Sequence, residues 1–347
     1  MTALGPVELN RQYTWRRDEG GTFPADHALG INGFLTRQAM RLLVLAGVEH
    51  SFARAQQVVQ EFCGWQVDDE VIRQATHAQA KHAAVTRPNR GDAQRFANAS
   101  GAVEVLMDAG KVNTRDGWRD VKIGLFCKRE LGASATPEQW DQRTLPAPMI
   151  RTVRAAIQGC DEFGTRLREE SDRLGVTSDN DVTVLGDGAE WIWNRAADHW
   201  PQAAGVLDVY HALEHVSDAV KGVFGEATEV TNAQTKTGRA ALLADGKLGL
   251  ERWLANVFAT VPESCCADPL IALAAYVAKH PSRLNYAERL AGGRSIGSGA
   301  VEGTIKQEVN LRLKRTGARW RIEHVGPLVE LRALSHTPDW QTLWTAA

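Results

Sequence analysis

Three carboxylates stand out by their neighbours. Asp108 follows an alternating apolar run, residues 103–107, and precedes Ala109 and Gly110. Asp187 ends the β-branched run 181–186 and is followed by Gly188. Glu302 follows the glycine-rich turn Ser295-Ile296-Gly297-Ser298-Gly299-Ala300-Val301 and precedes Gly303. Each is expected at the end of a buried element, beside a residue small enough for a phosphate to approach. Carboxylates that converge on one point repel unless cations lie between them. Hard oxygen donors around a partly hydrated octahedral ion point to Mg²⁺ or Mn²⁺. Two such ions roughly 3.5–4 Å apart activate a water or a 3′-hydroxyl and stabilise the leaving oxygen of an in-line displacement. Aspartate before glycine also opens turns, so each aspartate taken alone reads as a turn residue. The ordered trio is what points to metal-dependent phosphodiester chemistry.

Behind Glu302 come Lys306, Arg312, Lys314, Arg315, Arg319 and Arg321, opposed only by Glu308 before Glu323. A long cationic helix there would grip backbone phosphates beside the metal ions; an amphipathic helix with a solvated charged face has the same pattern. A second constellation is Asp208, His211 and His215. Their i, i+3, i+7 spacing puts them on one helix face, with Asp208 also a natural N-cap. Two roles stay open: a zinc site, or a bracing role in which the histidines orient the carboxylates or meet the scissile phosphate. Among the 11 tryptophans, Trp191, Trp193, Trp200 and Trp320 are core candidates, and Trp191 and Trp193, just past Asp187, could instead stack on an unpaired base.

The elements that must position these groups follow in order. Residues 1–30 are polar and glycine-rich and are expected to form an irregular arm. Residues 31–85 carry helical spacing, with a first helix ending at Gly47, a second capped by Ser51 and a third capped by Asp68. That arrangement fits either a helix-turn-helix that binds DNA or a plain three-helix bundle. Residues 86–100, with Pro88 and Gly91, read as a linker. Strands are expected at 103–108 and 118–126, the first ending at Asp108 and turned by Ala109 and Gly110, with an edge strand or only a loop in 134–148. A helix is expected over 153–174, then a strand to Asp187, a helix over 189–199 and a short strand into Asp208. From 211 to about 290 the chain reads helical. Antiparallel strands first and parallel βαβ units later give a mixed α/β layer arrangement. This is the order of a ribonuclease-H-like sheet with an all-helical insertion, preceded by an N-terminal helical domain. Open sheets of this kind hold their chemistry at the carboxyl ends of strands.

Bulk properties set limits. A formal net charge of −2 over 347 residues gives no global support for nucleic-acid binding, so any DNA contact must be local. The 5 cysteines show no metal-ligand rhythm, which suits a reducing, cytoplasmic setting. No apolar run approaches the roughly 20 residues of a membrane span.

These stretches carry a resemblance. Trp118-Arg119-Asp120-Val121-Lys122-Ile123-Gly124, Gly186-Asp187-Gly188-Ala189-Glu190-Trp191-Ile192, Asp208-Val209-Tyr210-His211, Gly297 to Gly303 with Lys306, Arg312-Leu313-Lys314 and Gly317-Ala318-Arg319-Trp320 resemble the DDE insertion-sequence transposases of the ISKra type, relatives of Mutator-like transposases. The resemblance implies residues 101–347 as a ribonuclease-H-like catalytic domain with its helical insertion at about 211–290. It also implies Asp108, Asp187 and Glu302 as the triad holding two Mg²⁺ or Mn²⁺ ions, with Asp208 and His211 matching the C/D-x-x-H signature of the wider group. Its expected partners are double-stranded DNA, as terminal inverted repeats and as target, and further copies of the chain in a synaptic complex. The expected location is the bacterial cytoplasm, on the nucleoid. Such proteins often begin with a cysteine-bearing zinc-ribbon-like segment. The corresponding residues 13–21 have no cysteine, so residues 1–30 are expected to be a degenerate or truncated form of it. Three rivals remain open on sequence: a ribonuclease-H-like nuclease or resolvase, a catalytically silent DNA-binding remnant, and a zinc hydrolase built on Asp208, His211 and His215.

Overall fold

The computed structural model describes residues 1–18, 20–177, 180–262 and 265–345, and Asn32 by its backbone. Glu19 of the expected arm and the last two residues of the expected catalytic domain lie outside the described residues. The arm is more ordered than its composition suggests. It holds a hairpin of β1 (Thr14–Arg16) and β2 (Gly20–Thr22), a helix α1 (Pro24–Leu29), and a second small hairpin of β3 (Ile31–Asn32) and β4 (Leu35–Thr36). Pro24 suits the first turn of α1, and Gly30 ends it at φ +61.

Helices α2 (Arg37–Glu49), α3 (Phe52–Cys63) and α4 (Asp69–Thr86) follow. The side chains of Thr36, Ser51 and Asp68 accept the first free N–H groups of each, from Ala39, Arg54 and Glu70. Leu43, Val59, Trp65 and Ile72 form their shared core. Gly47 does not end α2 as expected; it lies inside the helix. A Cβ there would stand 2.1 Å from Thr76 Oγ1, so the glycine lets α2 and α4 approach.

The stretch expected as a linker is instead an internal anchor. Buried Arg87 donates to Glu170 at 2.8 Å, to Glu330 at 3.1 Å and to Thr152 Oγ1 and Val153 O at 2.9 Å. A short helix α5 (Asp92–Asn98) continues, with Asp92 accepting from Arg173 at 2.6 Å. Pro88 and Gly91 do punctuate the chain, but only the fold supplies the carboxylates that pull Arg87 inside.

The central sheet has five strands: β5 (Ala102–Thr114), β6 (Gly117–Arg129), β7 (Ile150–Ala156), β8 (Val182–Gly186) and β9 (Ala204–Leu207). Their order is β7-β6-β5-β8-β9, with β5, β6 and β7 antiparallel and β8 and β9 running parallel to β5. The molecule is thus mixed α/β. Two expectations fail here. β5 does not end at Asp108, because Ala109 and Gly110 stay in the ladder opposite Lys122 and Val121 and the chain turns only before Gly117. The third strand is not in 134–148 but is β7, and it takes the start of the helix expected from Val153. Val153 pairs with Leu125, and the helix α6 (Cys160–Leu174) starts seven residues later. Arginines at 151 and 154 mimic a helical polar stripe in that window.

The alternation of a strand separates two faces. Met107 and Gly124 are partners on one face, where a Cβ at Gly124 would meet Leu167 of α6 at 2.3 Å. Asp108, Gly110 and Val121 lie on the other. There a Cβ at Gly110 would be 3.0 Å from Ile305, in the helix that follows Glu302. That helix comprises α12 (Gly299–Thr304), a π-helical turn (Ile305–Asn310) and α13 (Leu311–Leu313), placed after α7 (Glu190–His199), α8 (Val209–Phe224), α9 (Glu229–Phe258), α10 (Asp268–Ala278) and α11 (Tyr286–Ala291). α9 kinks at Gly246, φ +54. Helices α14 (Ile322–Ser335) and α15 (Asp339–Thr342) close the chain. Among the described residues no helix is long and apolar enough to cross a membrane.

α14 lies directly on β7: a Cβ at Gly326 would stand 2.4 Å from the Ala155 carbonyl oxygen. Gly326→Ala is expected to cost about 1–3 kcal/mol of stability by forcing the helix off the sheet, checked by denaturant unfolding. His336 of the same end bonds Glu308 and then Glu49, both at 3.1 Å, and these carboxylates raise it to about 9. A histidine raised in the native state contributes stability that is complete below its ordinary pKa near 6.5 and disappears as pH rises through about 9. The melting temperature of the wild type is therefore expected to fall over that window by more than that of His336→Gln.

Candidate active site

The strand register brings three aspartates level. Leu106 pairs with Leu185, and Leu185 with Val206. Two residues further along each parallel strand stand Asp108, Asp187 and Asp208, on neighbouring rows about 4.8 Å apart. Glu302 joins them in the first turn of α12, on the face of the sheet that Asp108 occupies. All four line one open cleft of about 610 Å³, together with His211, Ser298, Lys221 and Arg239.

Glu302 reaches this position because the chain ahead of it is pinned along the sheet. Arg289, buried, donates from Nε to the Ser295 carbonyl at 2.7 Å and from Nη2 to Thr183 Oγ1 at 3.2 Å. The Ser295 hydroxyl donates to Glu104, a buried carboxylate inside β5 that also accepts from Arg129 at 2.9 Å. Val209 N donates to the Ile296 carbonyl at 3.0 Å. Finally Ser298 donates from its backbone N–H to Asp208 Oδ2, and its hydroxyl lies 2.9 Å from that same oxygen and 3.0 Å from Glu302 Oε1. Asp208 is 2% exposed, and its other oxygen caps α8 by accepting from His211 N at 2.7 Å. Asp208 thus acts on Glu302 through Ser298 rather than standing free.

The small residues beside the carboxylates have different uses. Around Gly303 and Gly299 nothing lies within 4 Å of an added Cβ, so space is open next to Glu302. Gly188 and Gly110 were expected to admit a phosphate; they admit protein instead. A Cβ at Gly188 would be 2.6 Å from the Tyr276 ring, and one at Gly110 would press on Ile305.

His211 and His215 face each other, Nε2 to Nε2 at 3.3 Å, and His215 lies against Tyr276 with ring centroids 4.0 Å apart. Neither imidazole bonds Asp108, Asp187 or Glu302 among the described residues. The Tyr276 hydroxyl is buried without a partner, and burial, with Asp187 and Asp208 nearby, raises its pKa. Sequence reasoning missed Tyr276, Lys221 and Arg239, which arrive from the helical insertion with no local signal. Ser298 had one, its place inside the glycine-rich turn. Trp193 and Trp200 are buried, and Trp193 Nε1 donates to the Asp187 carbonyl at 2.8 Å, so it supports the site from below.

Of the cations after Glu302, Lys306, Lys314, Arg315, Arg319 and Arg321 are exposed. Arg312 departs from the expected row: it is 2% exposed and donates to the Gly47 carbonyl at 2.9 Å. The helix ends at Leu313, which turns the last cations away from a single face.

Electrostatically the cleft is short of positive charge at its centre. Burial raises Asp108 to about 6, against a hydrogen bond from Ala109 N, and the charges of Asp187, Glu302 and Asp208 add to the rise. A divalent cation would relieve that repulsion, and carboxylate oxygens are the donors it prefers. As they stand, no three His, Cys, Asp or Glu side chains among the described residues are already closed around one ion position. Comparison of the chain with family models and with curated proteins finds no match.

A carboxylate whose pKa is raised on folding stabilises the native state only while protonated, fully below about 4 and not above about 6. In divalent-free buffer Asp108→Asn is therefore expected to melt higher than wild type at pH 7, the difference vanishing near pH 4. Calorimetric scans across that range check it.

Proposed function

We propose that this chain is a DDE-type DNA transposase with a ribonuclease-H-like catalytic core, of the insertion-sequence kind that its motifs resemble. The observation that carries this reading is the level row of Asp108, inside β5, with Asp187 and Asp208 just past the carboxyl ends of β8 and β9, and Glu302 brought over them into one cleft. The strand order, with an antiparallel half beside a parallel half, agrees with it.

In this reading Asp108, Asp187 and Glu302 hold two divalent cations, Mg²⁺ or Mn²⁺. When bound, these supply Lewis-acid stabilisation of the phosphoryl oxygens and of the leaving oxygen. The chain's own residues do the rest. Asp208 and Ser298 fix the Glu302 carboxylate, so its oxygens meet the cleft without a search of rotamers. Lys221 and Arg239, at the cleft wall, offset phosphate charge close to the reacting group. Exposed Lys306, Lys314, Arg315, Arg319 and Arg321 hold the flanking backbone, with binding that weakens steeply as salt rises. In the first step water attacks the phosphorus and the 3′-oxygen leaves as a hydroxyl. In the second that hydroxyl attacks a target phosphodiester and displaces another 3′-oxygen. Helices α2–α4 take part in recognising the terminal repeats, and joining two element ends calls for more than one copy of the chain.

The test is cleavage and joining of labelled duplex in Mg²⁺ and in Mn²⁺ by wild type and Glu302→Gln. That substitution keeps size and removes charge. Activity is expected in the wild type, with joined product. The loss in the variant should exceed the roughly 100-fold that removing an outer partner of a metal ligand costs. Nicked product with no joining would assign a nuclease or resolvase; tight binding without cleavage in either protein would leave a DNA-binding remnant.

A further inference from the structure

A second cavity, of about 430 Å³, lies between the N-terminal helices and residues 312–324. Trp320 bonds the far end of β5, donating to the Asn113 carbonyl at 3.0 Å and accepting from Arg115 N at 2.8 Å. The cavity therefore stands six residues, about 20 Å, along β5 from Asp108. Its floor is Arg312. A buried guanidinium is costly unless a counter-charge meets it, yet no described carboxylate lies within ion-pair distance of Arg312. It has one backbone carbonyl and the ring faces of Phe52 and Trp320, at 4.8 and 5.0 Å. Arg115, Arg315 and Arg319 at the rim likewise make no ion pair among the described residues. Glu70 is the one carboxylate in the lining, and Arg73 already holds it at 2.7 Å. The opposite wall is aromatic: His77 and His324 stack with centroids 3.9 Å apart, and Phe52 meets both His77 and Trp320 edge-on. His77 Nδ1 is buried without a partner. Burial first, then His324 and Arg73, lowers His77 to about 4.

We propose that this cavity is a nucleotide site. The phosphate meets Arg312, Arg315 and Arg319, and the base lies against Trp320 and the His77–His324 stack. Unneutralised arginines select an anion, flat rings select a flat partner, and the volume is that of a small-ligand site. The chemistry is shared by an unpaired nucleotide of a bound strand and by a free mononucleotide. The first source rests on the DNA-acting reading above, and the second does not.

Calorimetry on the full chain tests it, with deoxyadenosine monophosphate, inorganic phosphate, a blunt duplex and the same duplex with one unpaired nucleotide as probes. Arg312 supports the packing, so the variant is the exposed pair Arg315→Ser with Arg319→Ser. The mononucleotide is expected to bind, more tightly than inorganic phosphate, and to lose roughly tenfold or more in the double variant at an unchanged melting temperature. Tighter binding of the duplex with the unpaired nucleotide than of the blunt one, again lost in the variant, assigns a strand. Equal binding of the two duplexes, with the mononucleotide bound, assigns a free nucleotide. No mononucleotide binding, phosphate binding equally well, or an unaffected double variant overturns the site. Glu302→Gln separates the two readings, because it removes cleavage and leaves this binding intact. Arginine-dependent nucleotide binding by a wild type that never cuts DNA would keep the pocket and discard the catalytic reading. Cleavage without nucleotide binding would do the reverse.

Discussion

The Asp208 carboxylate is the contact on which the arrangement of this site depends. It is buried, and a buried carboxylate is tolerated only when its oxygens are satisfied. Here one oxygen caps α8 and the other accepts the N–H of Ser298, whose hydroxyl lies within reach of that oxygen and of Glu302. A single side chain thereby ties the end of β9, the start of the helical insertion and the turn that delivers Glu302. The insertion, α8 to α11, separates β9 from α12 along the chain. The Asp208 contact lets Glu302 return to the same sheet edge after it.

The sheet register supplies the other half. Parallel pairing of β5, β8 and β9 sets Asp108, Asp187 and Asp208 on one level, and β8 at the centre of that pairing is buried along its whole length. Burial, together with the repulsion of the like charges placed side by side in this way, raises Asp108 toward neutrality. That repulsion is offset by packing beneath the cleft, where Trp193 and the β8 core sit. Elsewhere, buried ion networks bind the N-terminal helices to the sheet. Arg87 joins α4 to Glu170 and Glu330, and Arg332 joins Val48 and Glu49 of α2 to the π-helical turn. Removing one partner from such a buried pair costs about 3–5 kcal/mol. The helices that form one wall of the second cavity are therefore held in place relative to the strand end that forms the other.

Much of the fold was legible locally. Ser51, Asp68 and Asp208 cap helices because short polar side chains satisfy free N–H groups, which is a property of a few adjacent residues. The apolar alternation of β5 and β6 and the β-branched run of β8 were legible for the same reason. β7 was not, because arginines at 151 and 154 imitate a helical stripe and only the ladder with β6 decides between the two. Gly47, Gly110 and Gly188 were misjudged as stop or open positions. A glycine's use is set by what packs on it, here Thr76, Ile305 and Tyr276.

By itself the sequence singled out Asp108, Asp187, Asp208 and Glu302 and the starts of the helices capped by Ser51, Asp68 and Asp208, since both follow from residue type and near neighbours. Tertiary structure alone decided that Asp108, Asp187, Asp208 and Glu302 share a cleft and that Arg87 is an anchor. It also decided that Arg312 leaves the exposed cationic row to become the floor of a second cavity. Those outcomes depend on partners from 83 to 265 positions away. Coulomb attraction and desolvation act through space, and no local pattern records which distant group will stand opposite a given charge.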